Sequence, residues 1–171
     1  MNSNFFAALK FTRDAEGGFT VDDGGPTNFG ITQSTYDDYR ESLGSEPQSV
    51  KLITQGEVQA IMQTEYWQPS HCDQLPLRLS VCQFDAAINS GPTEAVRMLQ
   101  EALGISADGD FGPITYGAVL GCNDTETAQK YLDVRTAFLR DICQGEDPHI
   151  RLDGYMNRIA NLRAYLKTLG A

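Results

Sequence analysis

Leu77-Arg78-Leu79-Ser80-Val81-Cys82-Gln83-Phe84-Asp85-Ala86-Ala87-Ile88-Asn89-Ser90-Gly91-Pro92 is the stretch on which the fold turns. Leu77, Val81, Phe84 and Ile88 recur at helical spacing and mark a buried helix, which Ser90-Gly91-Pro92 ends. Asp85 and Asn89 interrupt the apolar pattern one helical turn apart, so they share a face. Buried polar groups need partners. A neighbouring helix supplies them for Asp85 in this reading, whereas Asn89, near the helix end, is assigned to a bound ligand.

The same period extends in both directions. Val96, Leu99, Ala102 and Leu103 mark a helix ended by Gly104. The fold-defining turn Ala107-Asp108-Gly109-Asp110-Phe111-Gly112-Pro113 leads into a short helix to about Leu120. Two longer helices, roughly 125–143 and 150–168, close the chain. Upstream, Phe5, Phe6 and Leu9 are expected to share one face of a first helix, capped by Asn2 or Ser3 and stopped at Glu16-Gly17-Gly18. Residues 17–32, rich in Gly, Asp, Thr and Asn, read as a loop or short hairpin and hold the only plausible β-structure. A helix follows from about Gln33 to Leu43. Thr54 and Glu57 form a capping box for another that runs through Trp67 and stops before Pro69. The chain is therefore mainly α, and Gly91-Pro92 is its best seam.

Composition excludes several functions. The 171 residues carry 13 Lys+Arg against 23 Asp+Glu, net −10, so nothing favours binding a nucleic-acid backbone. No apolar run is long enough to span a membrane, and Met1-Asn2-Ser3-Asn4 opens no secretory signal. Cys72, Cys82, Cys122 and Cys143 fit no zinc spacing. His71-Cys72 with Cys82 is the nearest approach to a metal set, but His149 is remote, so neither metal nor cofactor is expected. Without an export signal, reduced thiols are the default, and action outside the membrane would leave room for one or two disulfides.

Chemistry concentrates in the glycine-rich segment. Glu16 stands where the first helix ends, and the negative end of the helix dipole disfavours a carboxylate there. Partial burial in a cleft would act the same way. A carboxyl that keeps its proton near neutral pH is suited to general-acid work. Gly17 and Gly18 let a polymer approach closely. A folded-back loop can set Asp22 or Asp23 across from Glu16, the two-carboxyl arrangement of glycoside hydrolysis; either Asp can equally cap the turn. Thr32 is a candidate to hold a water, or else the N-cap of the next helix. Thr27 is the weaker alternative. Tyr66 and Trp67 can stack on a sugar, although aromatic residues in a helix are more often core.

Glu16-Gly17-Gly18-Phe19 followed by Gly24-Gly25-Pro26-Thr27-Asn28-Phe29-Gly30-Ile31-Thr32 resembles glycoside hydrolase family 108, the secretion-activator and phage-endolysin muramidases. The likeness continues through Glu65-Tyr66-Trp67, Phe84-Asp85-Ala86-Ala87-Ile88-Asn89-Ser90-Gly91-Pro92, Leu99-Gln100 with Leu103-Gly104, Asp108-Gly109 with Gly112-Pro113 and Thr115, and Gly154-Tyr155-Met156-Asn157-Arg158. It implies a lysozyme-like helical bundle with a catalytic lobe over 1–91. A peptidoglycan-binding-like lobe over 92–171 would pack on the first as one compact unit.

The resemblance also implies N-acetylmuramidase activity on the β-1,4 bond from N-acetylmuramic acid to N-acetylglucosamine. Glu16 would be the acid, with Asp22, Asp23 and Thr32 around it, and Gly17, Gly18, Thr27, Asn28, Tyr66 and Asn89 on the glycan strand. Two departures bear on cleft geometry: the insert between the glycine pairs is short, and Tyr155 stands where the family often has Trp. A lytic transglycosylase and a non-catalytic peptidoglycan-binding protein are the competing functions. The expected protein is a monomer made in the cytoplasm without a signal peptide. It would act on the wall in the periplasm or outside the cell, reaching it through a holin or a secretion route.

Overall fold

The computed structural model describes residues 3–15, 18–22, 25–144 and 148–170. The elements, in order, are α1 (Ser3–Ala15), β1 (Thr20–Asp22), β2 (Gly25–Asn28), β3 (Ile31–Thr32), α2 (Gln33–Ser42), α3 (Gln55–Ile61), α4 (Leu77–Ser90), α5 (Pro92–Leu103), α6 (Pro113–Leu120), α7 (Asp124–Ile142) and α8 (Pro148–Thr168). Short 3-10 turns cover Val50–Leu52 and Cys72–Gln74. The fold is mainly helical, as the periodicity requires. Among the described residues no helix is long and apolar enough to cross a membrane.

The helix α4 is the axis of the molecule. Every residue from Leu79 to Ala87 is buried, so the helix is enclosed on all sides rather than amphipathic. It packs against α1, α5 and α7. Its N-terminus lacks a local side-chain cap. The Asp124 carboxylate, from the first turn of α7, accepts instead from the backbone N–H groups of Arg78 and Leu79, both at 3.0 Å. One anion thus satisfies two orphan donors of α4 while sitting at the favourable end of α7.

Gly91, at φ +85°, lets α4 end and α5 begin without an intervening loop. The halves are joined along the axis: the Tyr165 hydroxyl donates to Ala7 O at 2.9 Å, and the His71 ring stacks on Phe111 at 4.6 Å. All four cysteines are free thiols. Burial pushes those of Cys72 and Cys82 well up, which keeps them protonated.

Two local expectations change. Phe5, Ala8, Leu9 and Thr12 form the buried stripe of α1, whereas Phe6 is 45% exposed. Position 6 lies off the i, i+3, i+4, i+7 row, so Phe6 faces a surface groove. The helix after Thr54 is also not α throughout. Met62–Trp67 is a π turn, with the Gln68 N–H bonded to Gln63 O at 3.0 Å. Val58, Ile61 and Met62 face the core, and α-periodicity would bring Glu65 and Tyr66 in next. The wider turn delays the return by one residue, so Trp67 enters the core at 2% exposure, Tyr66 is only half-buried against it and Glu65 stays out. Trp67 then closes an aromatic triad with Phe5 and Phe84, with centroids 5.2 to 5.9 Å apart.

Candidate active site

The sheet follows α1 directly. Its strands run in the order β1-β2-β3, all antiparallel, with Thr20 opposite Thr27, Asp22 opposite Gly25, and Thr27 opposite Thr32. Thr20, Thr27 and Thr32 therefore stand in one cross-strand row. Side chains on a strand alternate between faces, so Asn28 takes the other side.

Asn28 is 5% exposed, and its amide donates to Val50 O at 3.2 Å and Lys51 O at 3.4 Å. The residue expected on the glycan thus ties the sheet to the 3-10 turn, and its amide is turned away from solvent. Gly18 is exposed, and a Cβ there would meet nothing within 4 Å. Glu16, Gly17 and Asp23 lie outside the described residues.

Thr32 caps α2: its hydroxyl accepts from the Thr35 N–H at 3.2 Å. It remains exposed, and its oxygen lies 3.0 Å from the Thr35 hydroxyl. Thr35 and Tyr66 line the same groove. Two linked hydroxyls, Thr32 and Thr35, therefore lead from the sheet toward the groove that Tyr66 lines. Burial, and then the Glu65 carboxylate, push the Tyr66 phenol up, so it stays neutral and able to donate. Thr35, Asp38, Tyr39, Ser42, Glu65 and Tyr66 line a groove of about 230 Å³. Its carboxylates accept hydroxyl and amide protons and its phenols offer flat apolar faces, the two things a sugar ring presents partners for. Sequence reasoning found Tyr66 but not Thr35, Asp38 or Tyr39, because the groove depends on the π turn.

A second polar cluster supports this wall. The Tyr36 hydroxyl, on α2, donates to Glu57 Oε1 at 2.9 Å, and Arg40 Nη1 reaches the same oxygen at 3.1 Å. The Glu57 Oε2 accepts from the Thr54 N–H and hydroxyl, both at 2.8 Å, which completes the capping box. Burial pushes the Glu57 carboxyl up, but these donors and the Arg40 charge outweigh it and hold the group below the usual carboxylate range.

Asn89 is half-buried near the end of α4. Its Oδ1 accepts from Arg135 Nη2 at 2.7 Å. Arg135, fully buried, also holds Asp85 Oδ2 at 2.6 Å through Nη1. Arg158 of α8 grips the other side of Asp85, with Nη2 to Oδ1 at 2.7 Å and Nε to Oδ1 at 3.0 Å. The polar face of α4 thus binds α7 and α8. Asp85 has the structural role expected of it, and Asn89 shares that role. Burial acts to raise Asp85, but the two guanidinium groups prevail and keep it ionised below the ordinary range.

In the second half, the buried Gln100 amide donates to Asp108 Oδ1 at 2.7 Å, Asp110 O at 3.0 Å and Thr115 Oγ1 at 3.1 Å, and accepts from the Gly109 N–H at 2.8 Å. One side chain therefore fixes the whole turn before α6. A Cβ at Gly109, where φ is +83°, would meet Thr93 at 2.9 Å.

A helical bundle whose first helix gives way to a three-stranded sheet, with a hydroxyl- and carboxylate-lined groove beside that sheet, defines a lysozyme-like protein. Residues 9–91 match the family described as Glycosyl hydrolase 108, and residues 94–160 the family described as Predicted Peptidoglycan domain. The two stretches meet at Gly91-Pro92-Thr93, where α4 passes into α5. Twelve solved chains match. One, described as the structure of Brucella abortus SagA, is 30% identical with a TM-score of 0.79, over 95% of this chain and 93% of that one. No curated protein matches. The chain belongs to glycosyl hydrolase family 108, and it is a glycoside hydrolase of the peptidoglycan-acting kind.

Proposed function

We propose that the protein is an N-acetylmuramidase, hydrolysing the β-1,4 bond from N-acetylmuramic acid to N-acetylglucosamine with Glu16 as general acid. The observation that carries the reading is the junction of α1 and the sheet. The helix ends at Ala15 and β1 begins at Thr20, so the only carboxyl residue between them in the sequence follows a helix C-terminus. There the dipole favours the protonated form.

In this mechanism Glu16 protonates the leaving glycosidic oxygen as the bond to the muramic C1 breaks. Positive charge then grows on the ring oxygen and C1. Asp22 or Asp23 stabilises that charge or takes the proton from the attacking water. Thr32 or Thr27, in the cross-strand row, holds the water. The groove at Tyr66 takes a neighbouring sugar. Without that second carboxyl the same acid would suit a transglycosylase, so product chemistry decides between them.

The protein acts on the wall, beyond the cytoplasmic membrane, as a phage endolysin or as a muramidase that opens the wall for export. The test is muropeptide analysis of digested sacculi. Wild type should release muropeptides with reducing muramic ends, and Glu16→Gln should lower the rate by roughly 10²–10⁴-fold, the usual worth of a general acid. A digest made of 1,6-anhydro products would replace hydrolysis with transglycosylation. Intact sacculi after exposure to wild-type protein would defeat the enzymatic reading.

A further inference from the structure

Thr35, Asp38, Tyr39 and Ser42 recur at i, i+3, i+4 and i+7 on α2 and form one wall of the groove at Tyr66. Glu65 and Tyr66, from the π turn, form the other. Each wall therefore brings one carboxylate and one phenol to the same groove. An α-helical turn would carry Glu65 and Tyr66 toward the core. The wider turn leaves them lining the groove, and such turns recur at functional sites.

Asp38 and Glu65 are exposed, and among the described residues no Lys or Arg forms an ion pair with either. The Thr64 hydroxyl reaches Glu65 Oε1 only at 3.4 Å. Arg40, the single cation of α2, is engaged elsewhere: its Nε donates to Glu46 O at 2.6 Å and its Nη1 pairs with Glu57 Oε1 at 3.1 Å. Tyr39 and Tyr66 are half-buried against the core, and aromatic faces attract cations. The Ser42 hydroxyl already donates to Tyr39 O at 2.7 Å. The groove thus offers acceptors and rings, and its described lining holds no cation.

We infer that this groove seats the free ammonium of a de-N-acetylated amino sugar in the glycan strand, with Asp38 and Glu65 accepting its protons beside the rings of Tyr39 and Tyr66. The inference rests on the reading that the groove takes a sugar, and deepens it. An ammonium carries a full positive charge and three N–H donors, enough for both carboxylates. An acetamido group is neutral and has one N–H, so it leaves one carboxylate without a partner. A stem peptide can also carry an ammonium, on a diamino residue. The Thr35 hydroxyl on the groove wall, however, lies 3.0 Å from that of Thr32, which is proposed to hold the water at the broken bond, so the groove adjoins the strand itself. Hydrolysis of an N-acetyl group to acetate and an amine is the class of reaction that supplies such a strand.

The experiment is a calorimetric titration of the full-length protein, which needs no cleavage. The probes are a β-1,4-linked tetramer of N-acetylglucosamine and the same tetramer with one unit de-N-acetylated. The amine-bearing tetramer should bind roughly tenfold more tightly, and added salt should erode the preference. Asp38→Asn and Glu65→Gln should each lower the ratio by roughly threefold. Glu101→Gln, at an exposed position on α5, removes one negative charge elsewhere and should leave the ratio as it is, which separates a seated amine from attraction to the whole acidic molecule. A free stem peptide with a diamino residue should not displace the amine-bearing tetramer. Displacement at matched concentration would move the seat to the peptide and overturn the inference. So would equal affinity for the two tetramers, no binding of either, or a preference that survives both substitutions. None of these outcomes touches cleavage: a protein that selects the amine yet leaves sacculi intact would lose the muramidase reading alone.

Discussion

Glu57 and Asp85 are two partnered carboxylates that the fold treats differently. Glu57 is assembled locally: its cap partner is three residues away, Arg40 and Tyr36 come from the preceding helix, and its side chain keeps 20% of its exposure. Asp85 is assembled across the molecule. Its partners Arg135 and Arg158 are 50 and 73 residues away, and its side chain is 1% exposed. Both are held ionised below the ordinary carboxylate range. A carboxyl so held cannot donate a proton near neutral pH, so neither can be the acid. A general acid needs the opposite environment, one that favours the protonated carboxyl, and that is the role proposed for Glu16.

The largest effect should come from Asp85. Asp85→Ala leaves Arg135 buried without its anion, and the two lobes lose their shared counter-charge. Loss of one member of a buried pair costs about 3–5 kcal/mol. Denaturant unfolding should show that loss with the slope unchanged, and a change under about 1 kcal/mol would mean that water reaches the pair.

The pH dependence follows the same logic. Because the folded value lies below that of the unfolded chain, the stability Asp85 adds is complete above the unfolded value of about 3.9. It drains away as pH falls through the lower folded one. Asp85→Asn should flatten the acid limb of a stability curve measured from pH 6 downward. Glu57→Gln should do less. The amide can still serve the capping box, so the partly screened ionic contact with Arg40 goes, at roughly 1 kcal/mol or below, and the Tyr36 hydroxyl loses its acceptor. A larger loss from Glu57→Gln than from Asp85→Ala would reverse the comparison.

This contrast also marks what the sequence made legible. The capping box at Thr54 and Glu57 was readable because both partners lie within one turn. The boundaries of α1, α2 and α4 to α8 were readable from period, glycine and proline. The structural role of Asp85 followed from a charge inside an apolar helix, but its partners did not, since nothing local ties position 85 to 135 or 158. The Arg135 partner of Asn89 is hidden for the same reason, since spacing alone does not bring position 89 to position 135. Asn28 likewise donates to carbonyls 22 and 23 residues on. The π turn was illegible because Met62 to Trp67 fits an α-helix residue by residue. The extra residue in the turn accompanies Trp67's place against Phe5 and Phe84, which lie far from it in the sequence.

The smallest stability effect belongs to the third polar cluster, the linked hydroxyls of Thr32 and Thr35 with Tyr66 on the same groove. It is neutral and its sheet end is exposed. Tyr66→Phe removes one hydroxyl from a site that solvent can reach. The cost should therefore stay near the ~0.5–1.5 kcal/mol of an ordinary hydrogen bond, with unfolding midpoints close to wild type. Activity should separate this cluster from the other two. If this cluster orients Thr32 toward a bound sugar, Tyr66→Phe lowers kcat several-fold at little cost in stability, and Thr35→Ala does the same, while Glu57→Gln costs stability and leaves kcat near wild type. Should Tyr66→Phe cleave peptidoglycan at the wild-type rate, the cluster is reduced to a cap for α2. The water-holding role then passes to Thr27, the neighbouring position in the same cross-strand row.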